Sequence, residues 1–171
     1  MKSVVGGWEL SGIVTMESGT PLNLGLNGHN VGSIFPGGGA VLSNRPDVVG
    51  SISYPKTPVA SNGVVTGIQW VNPAAFAVPA PGTWGNVGFD ALRGAGRDDW
   101  NLSLFKSFVI SESRGSRFEF RADAFNAWNH TQLGGGGQNG GFSNNFGSGN
   151  FGQYTSAFDP REFQFGAKLI F

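Results

Sequence analysis

Two histidines, His29 and His130, are the only imidazoles in the chain, and they do not form a His-x-x-x-His pair that would bring two ring nitrogens to one metal ion. Cysteine is absent, which removes thiolate zinc ligands, cysteine nucleophiles and disulfide scaffolds together. No Gly-x-Ser-x-Gly elbow presents a serine nucleophile. The run Gly94-Ala95-Gly96-Arg97-Asp98-Asp99 lacks the third glycine of a dinucleotide fingerprint, and no helical pattern follows it. It reads as a loop leading into a strand. Gly134 to Gly137 lacks the Lys-Ser/Thr of a phosphate loop and reads as a flexible tip. Asn101-Leu102-Ser103 and Asn129-His130-Thr131 match glycosylation sequons by chance, the first inside a predicted strand. The chain is therefore expected not to be an enzyme, with no catalytic residue, no metal ligand and no cofactor.

The chemistry that remains is that of surfaces. Arg117, Glu119, Arg121 and Asp123 alternate in sign on one side of a predicted strand, and Gln164 and Lys168 repeat the polar spacing further on. Such a row can line a ligand path, or satisfy itself by cross-strand pairing and contact with a neighbouring domain. Trp70, Trp84 and Tyr154 stand in Gly/Asn/Ser-rich stretches, with Phe76, Phe89, Phe142, Phe146 and Phe151 among them. Rings so placed can stack on a sugar or another planar ligand; they can equally pack the loops onto one another.

Composition narrows what could position these groups. Glycine supplies 29 of 171 residues, against a usual share of about 7%. Charged residues supply 13%, against about 25%. The net charge is zero, so no basic field exists to hold nucleic acid. With 15 Phe and 5 Trp, the chain is too aromatic for a disordered glycine-rich tract. Met1-Lys2-Ser3 runs into Val4-Val5-Gly6-Gly7-Trp8 without the apolar run of a signal peptide. No stretch is long and apolar enough for a membrane helix.

Four segments alternate with period 2, and the sequence predicts strands over 7–18, 99–110, 116–128 and 162–171. Trp8, Leu10, Val14 and Met16 share the apolar face of the first. Trp100, Leu102, Leu104, Phe108 and Ile110 share that of the second, where Lys106 on the apolar face and Phe105 on the polar one break the pattern. Phe118, Phe120, Ala122, Ala124 and Trp128 serve the third, and Phe163, Phe165, Ala167, Leu169 and Phe171 the fourth. Strands of about 9–12 residues exceed the usual 5–6 of soluble sheets and match tilted membrane strands. Long connections at 19–98 and 129–161 flank a short one at 111–115, the alternation of extracellular loops and periplasmic turns in outer-membrane barrels. Because even-numbered residues are apolar on both strands of the short hairpin, a two-residue turn is excluded. A three-residue loop at Ser113-Arg114-Gly115 or a five-residue loop fits. Trp8, Phe108, Phe118 and Phe171 then fall at one end and Trp100, Trp128 and Phe163 at the other, as two interfacial girdles.

The expected fold class is all-β: an antiparallel transmembrane β-barrel segment. Four strands cannot close a barrel whose smallest members use about eight. The segment is therefore either the C-terminal piece of a larger barrel or one protomer of a self-assembling oligomeric outer-membrane pore. A soluble β-sheet carbohydrate-binding module is a third arrangement.

The motifs Gly7-Trp8-Glu9-Leu10-Ser11-Gly12-Ile13-Val14, Ser18-Gly19-Thr20-Pro21, Asn44-Arg45-Pro46-Asp47, Asn72-Pro73-Ala74-Ala75-Phe76, Gly82-Thr83-Trp84-Gly85-Asn86 and Leu92-Arg93-Gly94 stand in order along the chain. They continue with Trp100-Asn101-Leu102-Ser103-Leu104-Phe105-Lys106, Phe120-Arg121-Ala122-Asp123-Ala124-Phe125-Asn126, Asp159-Pro160-Arg161 and a closing Gln164-Phe165-Gly166-Ala167-Lys168-Leu169-Ile170-Phe171. This series resembles the C-terminal part of TonB-dependent outer-membrane receptors, in the branch with an N-terminal carboxypeptidase-regulatory-like domain. The resemblance implies that 1–171 forms the last four strands of a plugged barrel of about 22 strands in the bacterial outer membrane, serving energy-coupled ligand uptake. It implies that Phe171, Leu169, Phe165 and Phe163 form the signal read by the barrel-assembly machinery, and that Arg117, Glu119, Arg121, Asp123, Gln164 and Lys168 face the lumen. Plug, TonB box and regulatory-like domain have no counterpart in these residues, so transport by this segment alone is not expected. The implied partners are outer-membrane lipid, the remainder of the receptor with its barrel and plug, the assembly machinery and, only through the plug, the TonB complex.

Overall fold

The computed structural model describes residues 6–26, 44–135 and 138–171. His29, the Met1-Lys2-Ser3 start and residues 136–137 of the glycine tip lie outside the described residues. Six strands of five residues or more carry the fold: β1 (Trp8–Glu17), β2 (Thr57–Ser61), β3 (Val64–Gln69), β4 (Arg97–Ser111), β5 (Ser116–Phe125) and β6 (Glu162–Ile170). By its contacts the chain divides into two compact units. The first comprises Met1–Glu17, Arg97–Gln132 and Asp159–Phe171, and the second Ser18–Gly96 and Leu133–Phe158.

The first unit is one antiparallel sheet in the order β1-β4-β5-β6. Its register gathers most apolar positions on one side, with Ile13, Phe105 and Val109 on the other. Gly12, Leu102, Ala124 and Phe163 form one cross-strand row, Leu10, Leu104, Ala122 and Phe165 the next, then Trp8, Lys106, Phe120 and Ala167, and then Phe108, Phe118 and Leu169. The opposite side carries Ser11, Ser103, Asp123 and Gln164 in one row and Glu9, Phe105, Arg121 and Gly166 in the next. A slip of one residue would exchange the two sets, so the period-2 pattern fixes the pairing.

The strand limits differ from the sequence reading by more than one residue in two places. β4 begins at Arg97 because Arg97 and Asp98 pair with Glu17 and Met16. β5 ends at Phe125 rather than at Trp128 because Asn126 and Asn129 adopt left-handed backbone, at φ 47° and 53°. The Asn126 amide holds that turn, its Oδ1 accepting from the His130 N–H and its Nδ2 donating to the His130 carbonyl, each at 3.0 Å. The short connection is a four-residue turn over 112–115 rather than a three-residue loop, with Gly115 at φ 68°. A four-residue turn alone would invert the faces. Instead the register shifts at Ser116/Arg117, where Ser111 and Val109 are the successive partners and Ile110 is the extra residue. This bulge restores even-to-even pairing from Phe118 onward.

The second unit has a core of its own. Val71 and Leu92 are fully buried, and Leu22, Leu24, Ala75, Phe76, Val87, Phe142, Phe151 and Tyr154 pack with them. Its longest regular element is the β2–β3 hairpin, turned by Asn62-Gly63 at φ 50° and 78°, a pairing suited to the twist of a two-residue turn. A single 3₁₀ turn occupies Pro73–Ala75. Elsewhere backbone–backbone bonds between loops are joined by bonds from side-chain amides. Asn44 donates to the Thr83 carbonyl at 3.0 Å and accepts from the Arg45 and Gly85 N–H groups at 2.8 and 3.0 Å. Asn86 accepts from Val48 N–H at 2.7 Å while its own N–H reaches Asp47 Oδ1 at 2.9 Å. A Cβ at Gly85 would stand 1.8 Å from the Arg45 carbonyl oxygen, so only glycine closes this knot. The Asn44-Arg45-Pro46-Asp47 and Gly82-Thr83-Trp84-Gly85-Asn86 motifs are thus two halves of one hydrogen-bonded clasp.

Tyr154 lies at the centre of this unit, with its ring against Phe142 and Trp70 at centroid distances of 5.2 and 5.8 Å. Its hydroxyl oxygen accepts from the Ala95 N–H at 3.1 Å. Burial raises its pKa above the ordinary 10.0, and the Ala95 bond opposes the shift. A raised folded-state pKa gives stability that is complete below the unfolded value and lost as pH climbs through the folded one. The second unit should therefore loosen as pH rises past 10.0, read as faster amide exchange. Tyr154→Phe should cost about 1 kcal/mol by orphaning the Ala95 N–H and should remove this alkaline loss.

Candidate functional site

Three groups of residues carry the chemistry, and they divide between the units. On the polar face of the sheet, Arg117, Glu119, Arg121 and Asp123 follow one another along β5, with Lys168 opposite Glu119 and Gln164 opposite Asp123. The ion pairs run along the strand rather than between strands: Arg117 Nε to Glu119 at 2.7 Å and Arg121 Nε to Asp123 at 2.9 Å. The reason lies in the register. Facing Arg117 are Val109 and Ile170, and facing Arg121 are Phe105 and Gly166. With no charge across from it, each guanidinium turns to the carboxylate two residues on. Ser103 Oγ also donates to Asp123 across the strands.

Gly166 leaves a gap on this face. A cavity of about 350 Å³ opens there, lined by Phe105, Glu119, Arg121, Gly166 and Lys168 among others. Its guanidinium, ammonium and carboxylate form a surface for charge recognition. Among the described residues no group of three or more His, Asp or Glu side chains could hold a metal ion. His130 belongs to the turn after β5, where its Nδ1 lies 3.1 Å from Gln132 Nε2.

The apolar face is uncovered. Leu10 is 72% exposed, Phe165 68% and Leu169 57%, while Phe171 stands just beyond β6 at 97%. Nothing among the described residues packs on them as a core would. At one end Trp100 meets Trp128 edge-to-face at 6.0 Å, and near the other Phe108 lies against Phe118 at 6.1 Å. The band between these rings is not purely aliphatic. Phe165 stacks on both Phe120 and Phe163, each at 6.4 Å, so two of the four residues named for the assembly signal, Phe163 and Phe165, are part of a ring ladder on the apolar side.

Lys106 sits on that side at full burial. Its ammonium lies 5.1 Å from the centroids of both Trp8 and Phe108 and donates to the Gly6 carbonyl. Ring faces and a backbone carbonyl replace water around the charge, and the aliphatic stem covers apolar surface. The sequence marked Lys106 as an interruption of the pattern, but its role as a link between the start of β1 and β4 needed the register.

Of the loop aromatics, Trp70 is half-buried and its Nε1 donates to the Arg93 carbonyl at 2.8 Å, Tyr154 is in the core, and Trp84 is exposed. The structure does not gather the three into one site. A cavity that the sequence reading missed lies elsewhere in this unit. It has about 330 Å³ and is lined by Gln69, Pro73, Phe146, Gly147, Ser148, Gly149, Phe151 and Gln153. No spacing announces it, because its walls come from a strand end, a 3₁₀ turn and a glycine-rich loop.

A sheet with two faces, one uncovered, apolar and bounded by aromatic rings, and one charged, is the surface of a membrane barrel. A family described as "Outer membrane beta barrel domain" matches residues 1–164. The chain belongs to that family. As a barrel-domain chain it resides in the bacterial outer membrane, and its all-β antiparallel architecture is that of such a barrel, not closed by these four strands. No curated protein and no solved structure matches it.

For this barrel chain the Lys106 arrangement is the most exposed to mutation. Lys106→Glu should place an anion against two ring faces and a carbonyl, and Lys106→Met should keep the stem while leaving the Gly6 carbonyl unpaired. The expected cost is about 1–3 kcal/mol for Met and more for Glu, read as lowered urea midpoints in detergent micelles.

Proposed function

We propose that this chain forms the last four strands of a TonB-dependent outer-membrane receptor and contributes two external loop segments, 19–98 and 129–161, to energy-coupled ligand uptake. The observation that carries the reading is the sheet itself. β1 and β6 are each paired on one side only, and in hydrocarbon an unpaired strand edge costs several kcal/mol for each open backbone group. Further strands must therefore flank both edges.

Chain direction supports the same reading. Glu17 pairs with Arg97 and Phe125 with Glu162, so both long connections leave from one end of the sheet and the short turn from the other. That is the polarity of a barrel with external loops and periplasmic turns. The motifs that carry the receptor resemblance include the two halves of the Asn44–Asn86 clasp, which gives them a structural purpose. In the assembled receptor Arg117, Arg121 and Lys168 would meet the plug, and Phe171 would complete the assembly signal.

An immunoblot of isolated outer membranes with an antibody to residues 44–135 tests this. The expected result is one heat-modifiable band far above 18.0 kDa that co-purifies with TonB. A band at 18.0 kDa after boiling, arising from a single discrete unboiled oligomer, would overturn the receptor reading in favour of a self-assembled pore.

A further inference from the structure

We infer that the 330 Å³ cavity of the second unit binds a neutral polyhydroxylated ligand, one saccharide unit of an uncharged glycan. The argument starts from hydrogen-bonding capacity. Near the cavity two polar side chains of the loop are spent within the unit: Ser143 Oγ donates to Asn150 Oδ1 at 2.9 Å and Asn144 Nδ2 to the Asn23 carbonyl at 3.0 Å. The lining residues do not. Among the described residues, no hydrogen bond takes up Ser148 Oγ or the Gln153 side-chain amide. Gln69 uses only its Nε2, donating to the Val71 and Phe151 carbonyls at 2.6 and 3.0 Å. A hydroxyl, an amide and an amide oxygen with unspent capacity therefore share one concave surface with the partly exposed ring of Phe146.

The chemistry of the lining selects the ligand. None of the eight residues carries a charge, so an ionic ligand would give up hydration without a counter-charge. A purely apolar ligand would strand three polar groups. A sugar ring satisfies both conditions, presenting hydroxyls as donors and acceptors at its edge and C–H groups to an aromatic face. The cavity volume lies within the range of small-molecule sites, about 300–1,000 Å³.

The wall is also fixed before binding. Two carbonyls hold the Gln69 amide in place, and Gly152, at φ 75°, leaves room for it: a Cβ there would stand 2.9 Å from Nε2 and 2.7 Å from the Val71 oxygen. Phe151 N–H to the Ser148 carbonyl and Gln153 N–H to that of Asn150, both at 3.1 Å, set the loop. Preorganisation of this kind lowers the ordering cost of binding.

The inference rests on the receptor reading for the ligand's fate and not for its binding, so binding is measured apart from uptake. Saturation-transfer NMR on the full chain, in micelles of an amine-oxide detergent that carries no sugar, would use maltoheptaose, cellohexaose, mannohexaose and xylohexaose, with hexagalacturonate as the charged comparison. Transfer to at least one neutral oligomer and none to hexagalacturonate is expected. Gly149 has open space around its Cβ position and an ordinary backbone φ, so Gly149→Trp should fill the cavity with the fold intact and weaken binding at least tenfold. Ser148→Ala should weaken it several-fold. Transfer to no neutral oligomer, equal transfer to hexagalacturonate, or binding unchanged in Gly149→Trp would overturn the inference. Sugar binding by a chain that blots as an 18.0 kDa pore would leave it standing and remove the receptor reading. Absence of binding in a receptor-sized protein would do the reverse.

Discussion

Water does not reach the hydrocarbon core of a bilayer, and each N–H and C=O placed there needs a partner supplied by protein. That requirement organises the first unit. It explains strands of nine to fifteen residues, a continuous antiparallel ladder, and a bulge at Ile110 that offsets a turn which alone would invert the faces. The same requirement makes the two open edges at β1 and β6 the sites where neighbouring strands are demanded. The ammonium of Lys106 is surrounded by ring faces and a carbonyl, which take the place of water around its charge.

The second unit is built on a different principle. Its core is built from residues brought together over long sequence separations, with few regular strands, and Asn side chains supplement the backbone–backbone bonds that hold its loops. Asn44, Asn72 and Asn86 each close a loop by accepting from a backbone N–H. This leaves a body with an interior and a fixed surface concavity where a long glycine-rich connection would otherwise be a slack tether. Rigid walls and spare hydrogen-bonding groups are what a binding surface needs.

The four long strands were legible because half-buried strands write period 2 directly into residue type, and the paired rows of β1, β4, β5 and β6 follow the sequence reading up to the bulge at Ile110. Their limits were less legible. β5 stops where Asn126 turns left-handed, yet Trp128 keeps its place beside Trp100, so the pattern continued past the end of the strand. The expected three-residue loop had the right parity and the wrong length, since the observed four-residue turn is brought back into phase by a bulge that absorbs one residue and that periodicity cannot see. The second unit's core was not legible, because Leu22, Val71, Val87 and Leu92 lie in segments of two residues or in loops, too short to carry any period. The cavity at Gln69, Ser148 and Gln153 was hidden for a related reason: unspent hydrogen-bonding capacity becomes visible only when the partners of all its neighbours are known.

The central claim is that one face of this sheet meets lipid and the other meets water. Because the chain has no cysteine, single cysteines can be introduced one at a time from Phe118 to Asp123, spin-labelled in outer-membrane preparations, and scored for collision with oxygen, which concentrates in lipid, and with a water-soluble nickel chelate. Oxygen accessibility peaking at 118, 120 and 122 and nickel accessibility at 119, 121 and 123 is the predicted result. Water accessibility on both faces, or the opposite phase, would contradict the account.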